Sequence, residues 1–189
     1  RDTVNAANPN KHAGMIYASN LCHEIAQNVG FTNLAEEIIN EDGTITTKTN
    51  TGDMVTCNLN SISLGRISDE ELEENIALQI RMLDNVISIN QAPVPESRMT
   101  SDKYRAIGLG TSGYHHYLVN HDIQWESDEH IEVADKLFEN IAYYSIKASM
   151  ELAKEKGAYP AFKGSEWETG EYFTRRGYTS DRWKQLAAD

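Results

Sequence analysis

Ser68-Asp69-Glu70-Glu71 opens the stretch of this chain that has the least freedom in what it can become. The spacing is that of a capping box. The Ser68 hydroxyl can accept from the backbone N–H of Glu71, while the Glu71 carboxylate reaches back to the N–H of Ser68. Leu72, Ile76, Ile80, Leu83 and Ile87 follow at spacings of four, four, three and four, which is one apolar stripe down one side of a helix. Such a stripe has to be buried against a neighbour. Pro93 and Pro95 close the stretch, so the expected helix covers about 69–90.

A longer helical stretch begins at Ser127 and runs to about 156. Its expected inner face carries Ile131, Ala134, Phe138, Ile141, Ser145, Ala148 and Leu152. Gly157 and Pro160 end it, and Lys154 and Lys156 suit the negative end of its dipole. A shorter helix is expected at about 112–120 after a strand from Tyr104 to Leu109, and Thr179-Ser180-Asp181 starts a last one. Glu41-Asp42-Gly43 is a hairpin signal, followed by the β-branched, alternating run Thr44–Thr49. Ala35–Ile39 fits either strand or helix. A further strand at about 54–60 carries Cys57, a short helix is expected after Glu24 as far as about Val29, and 92–103 reads as a linker. The fold class is α/β and helix-rich, in one domain over 1–189.

The first candidate for chemistry is Asn20, Cys22 and Glu24. In an extended segment alternate side chains share a side, so an amide, a thiol and a carboxylate could face one small volume. The plainer alternative is a buried cysteine and a carboxylate opening a helix. Several runs bear on the choice. Tyr17-Ala18-Ser19-Asn20-Leu21-Cys22-His23-Glu24-Ile25 resembles the finger loop, here about 17–26, of class I ribonucleotide reductase large subunits. Val55 to Gly65 resembles that family's second active-site cysteine segment. Arg105 to Gly110 and Tyr143 to Ser149 resemble later segments, in the family's order. His23 departs from the family's usual Thr, Ser or Leu.

The resemblance implies a piece of a ten-stranded α/β barrel, with the helices at 69–90, 112–120 and 127–156 on its outside. It implies that Cys22 becomes a thiyl radical that takes hydrogen from carbon 3 of the ribose of a ribonucleoside diphosphate. Glu24 would take the proton of the adjacent hydroxyl, and Asn20 would hold the substrate. Cys57 would be one of two thiols that reduce the substrate and close to a disulfide, unbonded to Cys22. It further implies a radical-generating, metal-containing small subunit, a thioredoxin- or glutaredoxin-type reductant, and a homodimer of large subunits. No cofactor is expected on this chain, and ATP and deoxynucleotide effectors would bind elsewhere. The family's upstream thiol, phosphate loop, tyrosine pair and shuttle cysteines are not in this sequence, and Arg1 in place of Met suggests an excised piece. The chain alone is therefore expected to be inactive.

Rival readings are specific. Gly108-Leu109-Gly110-Thr111-Ser112-Gly113 fits a dinucleotide-binding pattern, which would make a nicotinamide-dependent oxidoreductase. The acidic residues about twenty positions on, Asp128 and Glu129, begin a helix instead of ending a strand, so close strand–helix packing explains the glycines better. A non-catalytic interaction module is the other alternative. His115 and His116 point apart on a helix, so His115, His116 and His121 form no metal-ligand set; Tyr143 and Tyr144 are assigned to packing. A net charge of −12 disfavours nucleic-acid binding, and two cysteines make neither a disulfide scaffold nor a zinc site. Neither a run long and apolar enough to span a membrane nor a signal peptide is visible, so a reducing cytoplasm is the expected setting.

Overall fold

The computed structural model describes residues 2–19 and 25–189. In chain order its elements are α1 (Asp2–Ala6), β1 (Asn33–Ile39), β2 (Ile45–Asn50), β3 (Leu59–Ser63), α2 (Leu72–Ile89), α3 (Pro95–Tyr104), β4 (Gly108–Ser112), α4 (Tyr114–Asn120), α5 (Asp128–Lys156), α6 (Glu166–Thr169), α7 (Glu171–Arg175) and α8 (Asp181–Ala188). Among the described residues the strands form two two-stranded sheets, β1–β2 and β3–β4, and no closed barrel. The chain gathers into two compact units, one of residues 1–57, 90–106 and 159–176, the other of 58–89, 107–158 and 177–189.

The second unit is built on the α2 stripe. Leu72, Ile76, Ile80, Leu83 and Ile87 are all buried, Ile76 completely. Leu72, Ile76 and Ile80 belong to a core shared with Ile62 of β3, Leu118 of α4, and Leu137, Ile141, Ala148 and Leu152 of α5. The capping box forms as expected: Ser68 N donates to Glu71 Oε2 at 2.9 Å and Glu71 N to Ser68 Oγ at 3.4 Å. Ion pairs edge the seam between α2 and α5. Lys147 meets Glu73 at 2.6 Å, Arg81 forks onto Glu155, and Lys156 reaches Asp84 at 2.6 Å. Rising numbers on one helix pair with rising numbers on the other, so the two run in the same direction.

β3 and β4 are parallel, with Leu59 opposite Gly108 and Ser63 opposite Ser112. Parallel neighbours need a long crossover, and the segment containing α2 supplies it. At α4, Asp69 accepts from the Tyr117 hydroxyl at 3.1 Å. Burial, then the neighbouring Asp69 charge, pushes that phenol up to about 12, so it stays a donor.

In the first unit β1 and β2 form an antiparallel hairpin, exposed along both strands. The ambiguous Ala35–Ile39 is strand. Its turn is fixed by Asp42, whose Oδ1 accepts from Thr44 N at 2.9 Å and Thr44 Oγ1 at 2.7 Å, with Gly43 at φ +84°.

Several expectations are corrected. The strand expected at 54–60 spans Leu59–Ser63, so Cys57 precedes it. Its partner begins only at Gly108; farther upstream, the amide of Met54 is taken by the Thr100 hydroxyl at 2.8 Å. Residues 92–103 are no plain linker, because Pro95 at the first turn starts α3 just after Pro93 has helped to stop α2. Tyr104 ends that helix, with Arg105 left-handed at φ 46°, which delays the strand expected at 104 to Gly108. No helix follows residue 24 as far as Val29, whose amide instead donates to Met15 O at 3.0 Å.

The inner face of α5 is also rotated. Ser127 caps it as expected, but Leu137 is buried while Phe138 and Ile131 are 43% and 67% exposed. The expected face repeats every 3.5 residues on average. A straight helix repeats every 3.6, so a stripe registered on Ile141–Leu152 drifts off Ile131 and Phe138 by about 20° per heptad. Ile76→Ala is accordingly expected to cost ~3 kcal/mol in urea unfolding, and Ile131→Ala no more than ~0.5.

Candidate functional site

Asn20, Cys22 and Glu24 lie outside the described residues, as does any distance from Cys22 to Cys57. The structure does describe the two stems that enter and leave 20–24. Ile16 and Ile25 are buried, one on each stem. Val29 N donates to Met15 O, and the Ser19 hydroxyl donates to Ile25 O at 2.5 Å, so the stems are tied to each other twice.

Asparagines fix the stems from outside. Asn5 Nδ2 donates to Ile16 O and Asn5 Oδ1 accepts from Ile16 N, both at 2.8 Å, so one side chain satisfies both backbone groups of a buried residue. On the leaving stem Asn28, 2% exposed, accepts from Asn8 Nδ2 at 2.7 Å and donates to Asn10 O at 2.8 Å. Asn8 Oδ1 in turn accepts from Asn10 N at 2.9 Å. Buried amides are retained where partners are supplied, and Asn8 and Asn28 supply each other's, whereas among the described residues the Nε2 of buried Gln27 finds none. None of these asparagines is singled out by the sequence motifs; three asparagines at 5, 8 and 10 are the available signal.

The segment 7–11 is itself anchored. Glu166 is buried, its N–H donates to Pro9 O at 2.9 Å, and its carboxylate pairs with Lys11 and Arg175. Arg175 also donates to Ala7 O at 3.2 Å. Burial alone would raise the Glu166 pKa, but the hydrogen bonds and charges of Lys11 and Arg175 outweigh it and hold the carboxyl below its ordinary value. Below Gly30, Asp53 Oδ2 accepts from Gly30 N at 2.9 Å, while Gly52 has no room for a Cβ, which would sit 2.1 Å from Gly30 O.

Cys57 is exposed. Its neighbours are pinned: Thr56 Oγ1 lies 3.0 Å from Ser101 Oγ, Asn58 Nδ2 donates to Leu83 O at 2.8 Å, and Asn58 O accepts from Gly108 N at 2.9 Å. An accessible thiol on a fixed backbone can exchange with a disulfide.

The glycine run is not a phosphate loop. Gly108 and Gly110 sit within β4, paired with Leu59 and Ser61, and only Gly113 turns the chain, at φ +70°. Close packing is seen at Gly65, where a Cβ would meet the His116 ring at 2.4 Å. His121 Nδ1 lies 2.8 Å from Tyr117 O. Tyr143 packs edge-on against Trp183 with centroids 5.1 Å apart.

The described residues thus define a helix-rich α/β chain with a polar clamp on the stems flanking 20–24 and an exposed cysteine just ahead of a parallel strand pair. The family model described as ribonucleotide reductase, barrel domain, matches residues 1–189. The chain is 52% identical to the ribonucleoside-diphosphate reductase subunit alpha of Treponema pallidum over 98% of its own length and 23% of that protein's. It is 37% identical to the protein of that name from Helicobacter pylori strain J99, over 90% of this chain and 26% of the relative. With the Synechocystis protein of the same name it shares 35% identity over 100% of this chain and 23% of the relative. The chain belongs to the ribonucleotide reductase barrel-domain family, and it spans about a quarter of the length of these relatives.

The Glu166 anchor predicts a pH dependence. A carboxyl whose folded pKa is depressed contributes stability above its unfolded value, and that contribution fades as pH falls through the folded value. Urea unfolding of the wild type is expected to weaken below the ordinary carboxylate pKa, 4.5 here, and Glu166→Gln to lower stability at neutral pH while flattening that acid limb.

Proposed function

We propose that residues 1–189 are part of the large, catalytic subunit of a class I ribonucleoside-diphosphate reductase, working in the cytoplasm. The observation that carries the reading is the coincidence of the Asn20, Cys22, Glu24 and Cys57 motif positions with a family match over the full 189 residues. In this reading Cys22, as a thiyl radical, abstracts the hydrogen at carbon 3 of the ribose. Glu24 takes the proton from the neighbouring hydroxyl, which eases loss of the carbon 2 hydroxyl as water, and Asn20 fixes the substrate's approach. Cys57 and a second thiol outside these residues deliver two electrons and close to a disulfide. A thioredoxin- or glutaredoxin-type reductant reopens it, and a metal-containing small subunit supplies the radical. The intact large subunit is a homodimer, and effector nucleotides bind outside these residues.

The nicotinamide alternative is not favoured, since the two glycines it needs for a phosphate turn are strand residues.

The test uses the full-length subunit that contains this sequence, with a radical-bearing partner subunit, a dithiol and a ribonucleoside diphosphate. Deoxynucleotide formation is expected, with none above background for Cys22→Ala and loss of dithiol-dependent turnover for Cys57→Ser. Undiminished product from Cys22→Ala overturns the assignment. Residues 1–189 alone, mixed with the same components, are expected to give no product above the Cys22→Ala control, because the relay, the second thiol and the phosphate anchor are not in them.

A further inference from the structure

We propose that the flank of α2 carrying Leu78, Met82, Val86 and Ile89 is the docking face for a helix of the same large subunit from outside residues 1–189, an inference that rests on the functional reading above. These four side chains are 54%, 50%, 44% and 77% exposed. Spaced four, four and three apart, they repeat the pattern of the buried stripe. At about 100° per residue they form a second apolar row, roughly 125° round the helix from the first. Glu73, Arg81 and Asp84, which pair with Lys147, Glu155 and Lys156 of α5, lie on the other side of the buried stripe. One flank of α2 is therefore charged and meets its neighbour through ion pairs. The opposite flank is apolar, with Gln79 and Asn85 as its polar members between Leu78 and Ile89.

The occupant follows from what the row needs. An uncharged, apolar row calls for permanent dry cover, as between parts of one folded chain, because exchangeable interfaces keep the polar composition of ordinary surface. Four side chains exposed to this extent make a patch of roughly 400 Å², about half of the ~800 Å² that each partner of a stable dimer gives up. A second copy seated on this row alone would not stay. The chain covers 23% and 26% of the Treponema pallidum and Helicobacter pylori relatives, so a subunit of their length has ample chain to supply the cover. The covering element is a helix. α5 already packs beside α2 on the shared core, and rows of side chains three and four apart leave grooves that the ridges of another helix fill.

The experiment uses the full-length subunit that contains this sequence, carrying Met82→Cys or Val86→Cys, with alkylation of the new thiol followed by mass spectrometry of its own peptide. Each thiol is expected to react about tenfold or more slowly in the native subunit than in urea, and equally so at every subunit concentration. Val86→Cys is close to isosteric and decides the matter if Met82→Cys does not fold. A photoreactive methionine at position 82 is expected to cross-link within one polypeptide, to a segment outside residues 1–189 with apolar residues three and four apart. Alkylation as fast in the native subunit as in urea overturns the proposal. So does protection lost on dilution, the mark of a second copy, or protection that requires the small subunit. The assay needs no turnover, so failure of the docking face leaves the functional reading standing. A wild-type subunit that makes no deoxynucleotide overturns that reading whatever the protection at position 82.

Discussion

Burial of one face of α2 is the constraint on which the second unit rests. Its five stripe residues are too apolar to face water. Completely burying side chains of this kind is worth roughly 1.5–3 kcal/mol each. β3, α4 and α5 each present part of the surface that covers Leu72, Ile76 and Ile80. The parallel pairing of β3 with β4 follows from the same fact, since the crossover between them must bring α2 back over the strands. The interhelical ion pairs are largely exposed, and exposed pairs contribute little each. They set the relative direction of α2 and α5 more than they set stability.

The stems flanking residues 20–24 are organised on different terms. At Ile16, Asn28 and Glu166 what matters is that polar groups removed from water have partners, which Nε2 of neighbouring Gln27 lacks among the described residues. One unmatched amide here would cost about 1–3 kcal/mol. The glutamate ties 7–11 to the C-terminal part of the same unit, the asparagines tie that segment to the leaving stem, and the stems are tied to each other. Backbone without regular secondary structure at 14–19 and 25–30 is thereby held by side chains.

What was legible in the sequence divides along the same line. The α2 stripe, its capping box, the start of α5 at Ser127 and the Asp42-Gly43 hairpin all follow from rules that act over a few residues, and each is found. The misread features depend on distant partners. The strand near Cys57 begins where Gly108 arrives, not where β-branched residues begin. The covered face of α5 is chosen by α2, whose position no local pattern reveals. At the site, the motif at 20–24 was visible because its residue types are unusual together. Asn5 and Asn28 were not, since their partners, Ile16 for Asn5 in α1 and Asn8 and Asn10 for Asn28, lie too far along the chain to leave a local pattern. The family match adds the identity of the barrel domain; the placement of residues 20–24 is not among the described residues.

The shared direction of α2 and α5 has an electrostatic consequence. Helices lying side by side and pointing the same way bring like partial charges together, so their dipoles repel where antiparallel neighbours would attract. From the pairs Arg81–Glu155 and Asp84–Lys156, the carboxyl ends of the two helices lie close to one another. The last turn of α2 carries no basic residue, whereas that of α5 carries Lys154 and Lys156. Lys156 leans across to Asp84 and Asn85 of α2. Lys156 therefore stands at the carboxyl end of α5 while offsetting the carboxylate that Asp84 brings towards the end of α2.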